Sequence, residues 1–281
     1  MVELVTIIEN TKEESSPLQS EHGLSLFFTY NGKRYLVDTG ASNKFLANAV
    51  ELGVDLKELD AVIISHNHYD HIGGLESLFA INKHVKVYIK KAAQSHFFSK
   101  RRFYWKNIGC AKSVFKTHKD RFVFIDDKLE LDNNLWLRSN HVDNEYYFCK
   151  DSRLLERRCF VLRPDKFKHE LFVVIEEEEH VIIISSCSHN GIVNIARSVQ
   201  QEFPEKPIKN IVGGFHLKNI FREMTELEAK DYACDIADTL DCLCEGKIYT
   251  CHCTGLGAFQ VMKERLPDKL EYLSTGDRLT I

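Results

Sequence analysis

Between Ser65 and Leu75 the chain reads Ser65-His66-Asn67-His68-Tyr69-Asp70-His71-Ile72-Gly73-Gly74-Leu75. Three imidazoles and a carboxylate are thus crowded directly behind the apolar run Ala61-Val62-Ile63-Ile64. Neutral imidazole and carboxylate are the usual ligands of zinc and other divalent first-row metals, and a strand that ends in a tight turn can aim several of them at one point. His66 and His68, two apart in an extended segment, point the same way. Asp70 and His71 follow as the chain turns through Gly73-Gly74, so they approach from a second direction and can serve a second ion. The alternative is a polar loop that happens to be rich in histidine, and four ligand-type residues at this spacing behind a buried strand count against it.

Three histidines of the second half fall where strands should end. Ile184-Ser-Ser-Cys-Ser-His189 leaves one apolar run and enters a helix through Gly191. Ile211-Val-Gly-Gly-Phe-His216 leaves another through a glycine pair, and Ile248-Tyr-Thr-Cys-His252 leaves a third. A lone strand-end histidine is more often a hydrogen-bonded structural residue than a ligand, because its ring can cap loose backbone groups. Three of them beside a complete metal motif reverse that expectation.

The pattern His66-x-His68-x-Asp70-His71 resembles the signature of the metallo-β-lactamase superfamily, and Tyr35-Leu36-Val37-Asp38-Thr39-Gly40 resembles the strand and Asp-Thr-Gly turn that precede it there. Ser186-Cys187-Ser188-His189-Asn190-Gly191-Ile192, Gly213-Gly214-Phe215-His216-Leu217 and Cys251-His252-Cys253-Thr254-Gly255 are similar to one branch, the 7,8-dihydropterin-6-methyl-4-(β-D-ribofuranosyl)aminobenzene-5'-phosphate synthases. The resemblance implies an α/β fold of the metallo-β-lactamase-type αββα sandwich. It also implies a divalent transition metal, one or two ions, with zinc first and iron or manganese as alternatives. On that basis His66 and His68 are expected to share one ion with His189, and Asp70 and His71 the other with His252, while Asp38 supports the ligands from behind. Asp70 and His216 are the expected catalytic groups, His216 either as a ligand or as a substrate-facing acid. Many relatives carry a bridging Asp in a Gly-Asp turn where this chain has Ser186-Cys187-Ser188-His189. The bridging ligand is therefore open, and Cys187 is either a thiolate ligand or a buried strand-end thiol. His169 lies where many relatives carry another ligand histidine and is the alternate for His189.

The expected activity is metal-dependent, either a hydrolase or a transferase that uses a dihydropterin diphosphate. The alternatives are a non-enzymatic metal-binding or sensing protein and a nuclease-type member. A small-molecule substrate, phosphorylated or pterin-like, is the expected partner. The formal net charge of −4 gives no field for nucleic acid, and the basic clusters are short. No apolar run nears the ~20 residues that cross a bilayer, and the chain does not open on a basic segment with a signal core, so the expected location is cytoplasmic. Nine cysteines without a small-scaffold spacing suit a reducing compartment. Cys242-Leu-Cys244 and Cys251-His-Cys253 lack the Cys-x₂-Cys spacing of common zinc and iron-sulfur sites. The first pair fits a helix end, and the second is expected to flank His252 with its side chains facing away from it.

The elements that must position these groups alternate between strand and helix in a single domain of 281 residues. Asn31-Gly32 between Leu24–Phe28 and Arg34–Val37 predicts a hairpin. A helix is expected from Ala41 to Leu52, closed by Gly53, with strands at Leu59–Ile64 and Val85–Ile89. Leu171–Ile175 and Val181–Ile184 predict a second hairpin around a solvated acidic turn. Strands Ile208–Val212 and Lys247–Thr250 are separated by a helix capped by Thr225 and Glu228. The stretch from about 92 to 164 reads as an insertion, with His96, Arg101, Arg102, Tyr104, Trp105 and Lys106 followed by Trp136, His141, Tyr146, Tyr147, Arg153, Arg157 and Arg158. It is either a lid that suits a flat, phosphate-bearing heterocycle or simple packing with a solvated basic face.

Overall fold

The computed structural model describes residues 1–110, 112–140 and 153–281, so His141, Tyr146, Tyr147 and the side chain of Arg158 lie outside the described residues. The chain falls into two compact units. The first comprises Met1–Asp126, Ser152–Glu170 and Ser274–Ile281, and the second Asp127–Asp151 and Leu171–Leu273.

The first unit is built on a seven-stranded sheet. In spatial order its strands are Arg278–Thr280, Glu3–Ile8, Ser25–Tyr30, Lys33–Val37, Ala61–Ile64, Lys86–Lys90 and Phe122–Ile125. Asn31 and Gly32 both adopt left-handed backbone, with φ of 51° and 72°, which is the twist a two-residue hairpin needs. They bring Phe28 opposite Tyr35 with stacked rings. From Lys33–Val37 onward neighbouring strands run parallel, Val37 beside Ile63 and Ile63 beside Tyr88. The carboxyl ends of Lys33–Val37 and Ala61–Ile64 therefore lie side by side. The first helix spans Lys44–Glu51 rather than starting at Ala41, because the N–H groups of Ala41 and Ser42 donate to the Glu21 carboxylate. Phe45, Leu75, Leu78 and Phe79 pack against Val62, Ile64 and Val87 in one core, each such side chain adding roughly 1.5–3 kcal/mol when fully buried.

In the second unit the strands, in spatial order, are Leu270–Tyr272, Ile248–Thr250, Ile208–Gly213, Val181–Ile184, Phe172–Glu176, Leu135–Arg138 and Lys128–Asp132. The first four of these run parallel to one another. Helices Ile192–Glu202, Glu226–Leu243 and Leu256–Arg265 cover one face through Val193, Ala196, Ala233, Ala237 and Met262. The expected capping box is present, Glu228 N–H donating to Thr225 Oγ1 at 3.3 Å and Thr225 N–H to Glu228 Oε2 at 2.9 Å.

The stretch from 92 to 164 divides among three sheets. Phe122–Ile125 extends the sheet of the first unit, whereas Lys128–Asp132 and Leu135–Arg138 extend that of the second, where Trp136 packs on the core. Among the described residues of this stretch, Trp105–Asn107, His96–Lys100, Leu154–Arg158 and Val161–Pro164 form a sheet of their own, antiparallel and within the first unit. Among the described residues no helix is long and apolar enough to cross a membrane.

Candidate metal centre

In the first unit the parallel strands deliver the motif. Asp38 ends one and Ser65 the next, and the Asp38 carboxylate accepts from Ser65 N–H at 2.7 Å, Ser65 Oγ at 2.6 Å and His71 Nδ1 at 2.7 Å. Asp38 is fully buried with φ of 61°. The Ser65 hydroxyl gives its proton to Asp38, so at 2.8 Å from His66 Nδ1 it can only accept. Both His66 and His71 must then carry their protons on Nδ1, which directs the lone pair of Nε2 away from this network. The three rings gather closely, His66 lying 4.5 Å from His68 and 4.2 Å from His71 between centroids. Burial and the neighbouring His169 push His68 down to about 3, so its ring stays unprotonated near neutral pH, the form that ligates. The Asp70 carboxylate lies 3.8 Å from His71 Nε2.

The turn that carries these groups is held by backbone. Thr39 N–H donates to His71 O at 2.7 Å, Gly73 N–H to Gly40 O at 3.0 Å and Leu24 N–H to Asp70 O at 3.1 Å. A Cβ on Gly73 or Gly74 would run into the carbonyls of Ala41 and Tyr69, or of Thr39 and Ser42, which is why glycine stands at both. Both ring nitrogens of His169 are engaged. Its Nδ1 accepts from Asn67 N–H at 3.1 Å, which puts the proton on Nε2, 3.0 Å from Asp165 Oδ2. Although burial opposes ionisation of Asp165, the adjoining His169 outweighs it and holds the carboxyl below its usual range.

The second unit repeats the arrangement at the carboxyl ends of three parallel strands. Val181–Ile184 leads to Cys187 and His189, Ile208–Gly213 to His216, and Ile248–Thr250 to His252 and Cys253. Ser188, His216 and His252 all adopt left-handed backbone, with φ of 53°, 54° and 51°. Such conformations cost of order 1–3 kcal/mol each and persist where surrounding structure enforces them. Here Ser188 Oγ donates to Gly214 O at 2.7 Å, Phe215 N–H to Thr254 Oγ1 at 2.8 Å, and the Thr250 and Thr254 hydroxyls lie 2.6 Å apart. The rings of His189 and His216 approach to 4.1 Å. Neither ring nitrogen of His216 has a hydrogen-bond partner among the described residues.

The orientation expected for Cys253 is wrong. The strand stops at Thr250 and the chain closes into a tight turn over His252–Thr254, so alternation no longer applies. The ligand atoms of Cys187, His252 and Cys253 lie within 4.8 Å of one another, as do those of Cys187, His189 and His216. Burial works the other way, yet the Cys187 thiol and the imidazoles of His216 and His252 hold the Cys253 thiol well below the usual cysteine range. By contrast Cys242 is exposed, and burial raises the Cys244 thiol to about 11.

Two residues escaped the sequence reading. His22 places Nε2 3.3 Å from Asp70 Oδ2, and Glu21 ties the same segment to the Ala41-Ser42 turn. Both are remote in sequence from the motif, and neither falls in a ligand-type spacing. The described part of 92–164 also touches the site. Tyr69 N–H donates to Ile108 O at 2.6 Å, and Lys106 Nζ sits 5.2 Å from the centre of the Tyr69 ring. Burial and Asp70 raise the Tyr69 phenol, with Arg101 acting against them.

A histidine-rich turn after a parallel strand, backed by a buried carboxylate, agrees with what the sequence profile finds. The profile of the metallo-beta-lactamase superfamily matches residues 21–141, and the chain belongs to that superfamily. It is 30% identical to the 7,8-dihydropterin-6-methyl-4-(beta-D-ribofuranosyl)-aminobenzene-5'-phosphate synthase of Methanocaldococcus jannaschii, over 98% of this chain and 95% of that protein. Among solved structures it superposes on Tm1679, described as a metal-dependent hydrolase of the beta-lactamase superfamily. The TM-score is 0.82 and the identity 28%, with 100% of this chain and 99% of the other covered. The Zn(2+)-bound PqqB of Methylobacterium extorquens shares the fold alone, with a TM-score of 0.58, 10% identity, and 99% of this chain and 100% of the other covered. The fold class expected from the motif, metallo-β-lactamase-type α/β, is the one observed.

Proposed function

We propose that this chain is a metal-dependent enzyme acting on a phosphorylated small molecule, with transfer onto an aromatic amine as the leading reaction and hydrolysis of a phosphate ester as the second. The observation that carries the metal is the cluster of His66, His68 and His71. Three buried imidazoles at 4.2–4.5 Å, two with tautomers set by Asp38 and Ser65, suit a cation and nothing apolar. Within the first unit the residues that would hold it are His66, His68, Asp70 and His71; within the second, His189 and His252 are the ligands we propose. Bound there, a divalent ion such as zinc supplies Lewis-acid charge to phosphoryl oxygens.

The chain's own groups account for the rest. Lys106 over Tyr69, with Arg101 near the same phenol, places positive charge around the residue that precedes Asp70, where it can neutralise a phosphate or diphosphate. Tyr69 and the exposed Trp105 offer flat faces to a heterocycle. In the transfer reaction an amine nitrogen forms the new bond as the carbon–oxygen bond to diphosphate breaks, and the proton the amine sheds needs an acceptor. His216, whose ring lies 4.1 Å from that of His189 where two parallel strands end, is the group we assign to take it. The name of the Methanocaldococcus jannaschii relative supports a pterin as the electrophile and an aminobenzene as the acceptor.

The test is a panel of a pterin diphosphate with an aminobenzene ribofuranosyl phosphate, simple phosphoesters, a lactam and a thioester, run on metal-loaded protein. Condensation of the first pair supports the leading reaction. Turnover of phosphoesters alone supports the second, and turnover of only the lactam or thioester overturns the phosphate reading. Lys106→Ala should raise KM for a phosphorylated substrate roughly tenfold, the loss of about 1.4 kcal/mol of binding, and leave an uncharged one unchanged.

A further inference from the structure

We propose that the second unit offers sulfur as well as nitrogen to the ion, Cys187 and Cys253 joining His252 in a buried donor set of two thiolates and one imidazole. The inference rests on the metal-dependent reading above and specifies the chemistry of its centre. Three observations support it, each independent of how readily the thiols ionise.

The first is proximity. The sulfurs of Cys187 and Cys253 and a ring nitrogen of His252 lie mutually within 4.8 Å, and all three residues are almost wholly buried. Two donors at about 2.0–2.3 Å from one tetrahedral ion stand roughly 3.3–3.8 Å apart, so small side-chain adjustments bring these atoms onto a common centre.

The second is that backbone is spent on placing the sulfur. Gly214 lies so close to Cys253 that a Cβ there would stand 2.6 Å from Sγ. His216 N–H donates to that sulfur at 3.2 Å, and Lys218 N–H fixes the Cys253 carbonyl at 2.9 Å. N–H donation to sulfur is the contact that steadies a thiolate ligand. The same glycine admits the Ser186 carbonyl, 2.8 Å from where a Cβ would stand, and the Cys253 thiol lies 3.3 Å from the Cys187 carbonyl, which keeps the sulfur at the Cys187 turn.

The third is the left-handed backbone at His252. It falls at the start of the tight turn His252–Thr254, where the side-chain alternation of the preceding strand ends and His252 and Cys253 come within reach of one another. Strain at such a position is retained where the placement is used.

Sulfur donors favour zinc, cobalt or iron over manganese and magnesium. The site is read directly by X-ray absorption on the zinc-loaded chain, which needs no substrate. The expected spectrum contains a sulfur shell at about 2.3 Å beside nitrogen and oxygen at about 2.0–2.1 Å. In Cys187→Ser and in Cys253→Ser the sulfur contribution should halve, and in the double variant it should vanish, while Cys242→Ser, at an exposed position, leaves it intact. Should a variant not fold, two measurements on the unaltered chain remain decisive. They are the zinc spectrum and a thiolate-to-metal charge-transfer band after cobalt substitution. Bound zinc with only nitrogen and oxygen neighbours, or a sulfur shell unchanged in the double variant, overturns this proposal and leaves the metal-dependent reading standing. A chain that takes up no zinc overturns both.

Discussion

Changing Asp38 to asparagine should weaken the candidate centre without touching any proposed ligand. Asparagine preserves the side-chain volume and tolerates the left-handed backbone at φ of 61°, so the change isolates chemistry from strain. The native carboxylate accepts three short bonds, from Ser65 N–H, Ser65 Oγ and His71 Nδ1. An amide keeps one acceptor oxygen, which can stay on Ser65 N–H. Its NH₂ then faces the Ser65 hydroxyl and the Nδ1 proton of His71. The hydroxyl can rotate, but the imidazole relieves the clash only by moving its proton to Nε2, which removes the lone pair turned toward the site. Losing one hydrogen bond to a charged group costs roughly 1.5–3 kcal/mol, and a partly compensated second adds up to about 1 kcal/mol. We therefore expect the metal-free variant to be about 2–4 kcal/mol less stable. Its ion affinity should fall 10–100-fold, the range for lost support behind a ligand. Urea denaturation of the metal-free chain and competition against a chromophoric chelator measure the two quantities. An Asp38→Asn protein that binds zinc within about twofold of the parent would show a fixed tautomer to be irrelevant to binding.

The Asp165–His169 pair should show in acid. Because the Asp165 carboxyl is held below its ordinary value, its contribution is complete above the unfolded value of about 3.9 and is lost as pH falls through the folded value. Asp165→Asn should flatten that acid slope in denaturant titrations, and an unchanged slope would show the pair to be inert. Replacing His169 with Ala leaves Asp165 buried without its imidazole and should cost roughly 3–5 kcal/mol while zinc binding persists. Loss of zinc from a folded His169→Ala protein would restore it as a ligand. Gly74→Ala drives a Cβ into the Thr39 and Ser42 carbonyls and should lower stability by more than about 2 kcal/mol. By comparison Gly32→Ala, where nothing lies within 4 Å, should cost only the strain of its left-handed backbone, about 1 kcal/mol. Equal melting temperatures for the two variants would contradict the packing account.

What could be read from the sequence was what is local. Asn31-Gly32 and the Thr225/Glu228 box report on their own few residues, and both appear as expected. The spacing of His66, His68, Asp70 and His71 behind an apolar strand is likewise a local signal. The placing of His189, His216 and His252 needed only strand ends to be found. Contacts that join distant segments were not legible. Glu21 reaches Ala41 and Ser42 and so delays the first helix. His22 reaches Asp70, and Arg278–Thr280 returns to pair with Glu3–Ile8 from the far end of the chain. Cys253 failed for another reason. Alternation was carried one turn past the end of its strand, into a segment where the backbone at His252 reverses hand.

Elemental analysis of protein purified without chelator decides whether this chain holds a transition metal. At least about one equivalent of zinc, iron or manganese per chain is expected, removed by chelation, restored by the added ion, and sharply reduced in a folded His66→Ala or His68→Ala variant. Protein that carries only traces of such metals, and takes up none when they are supplied, would contradict that expectation.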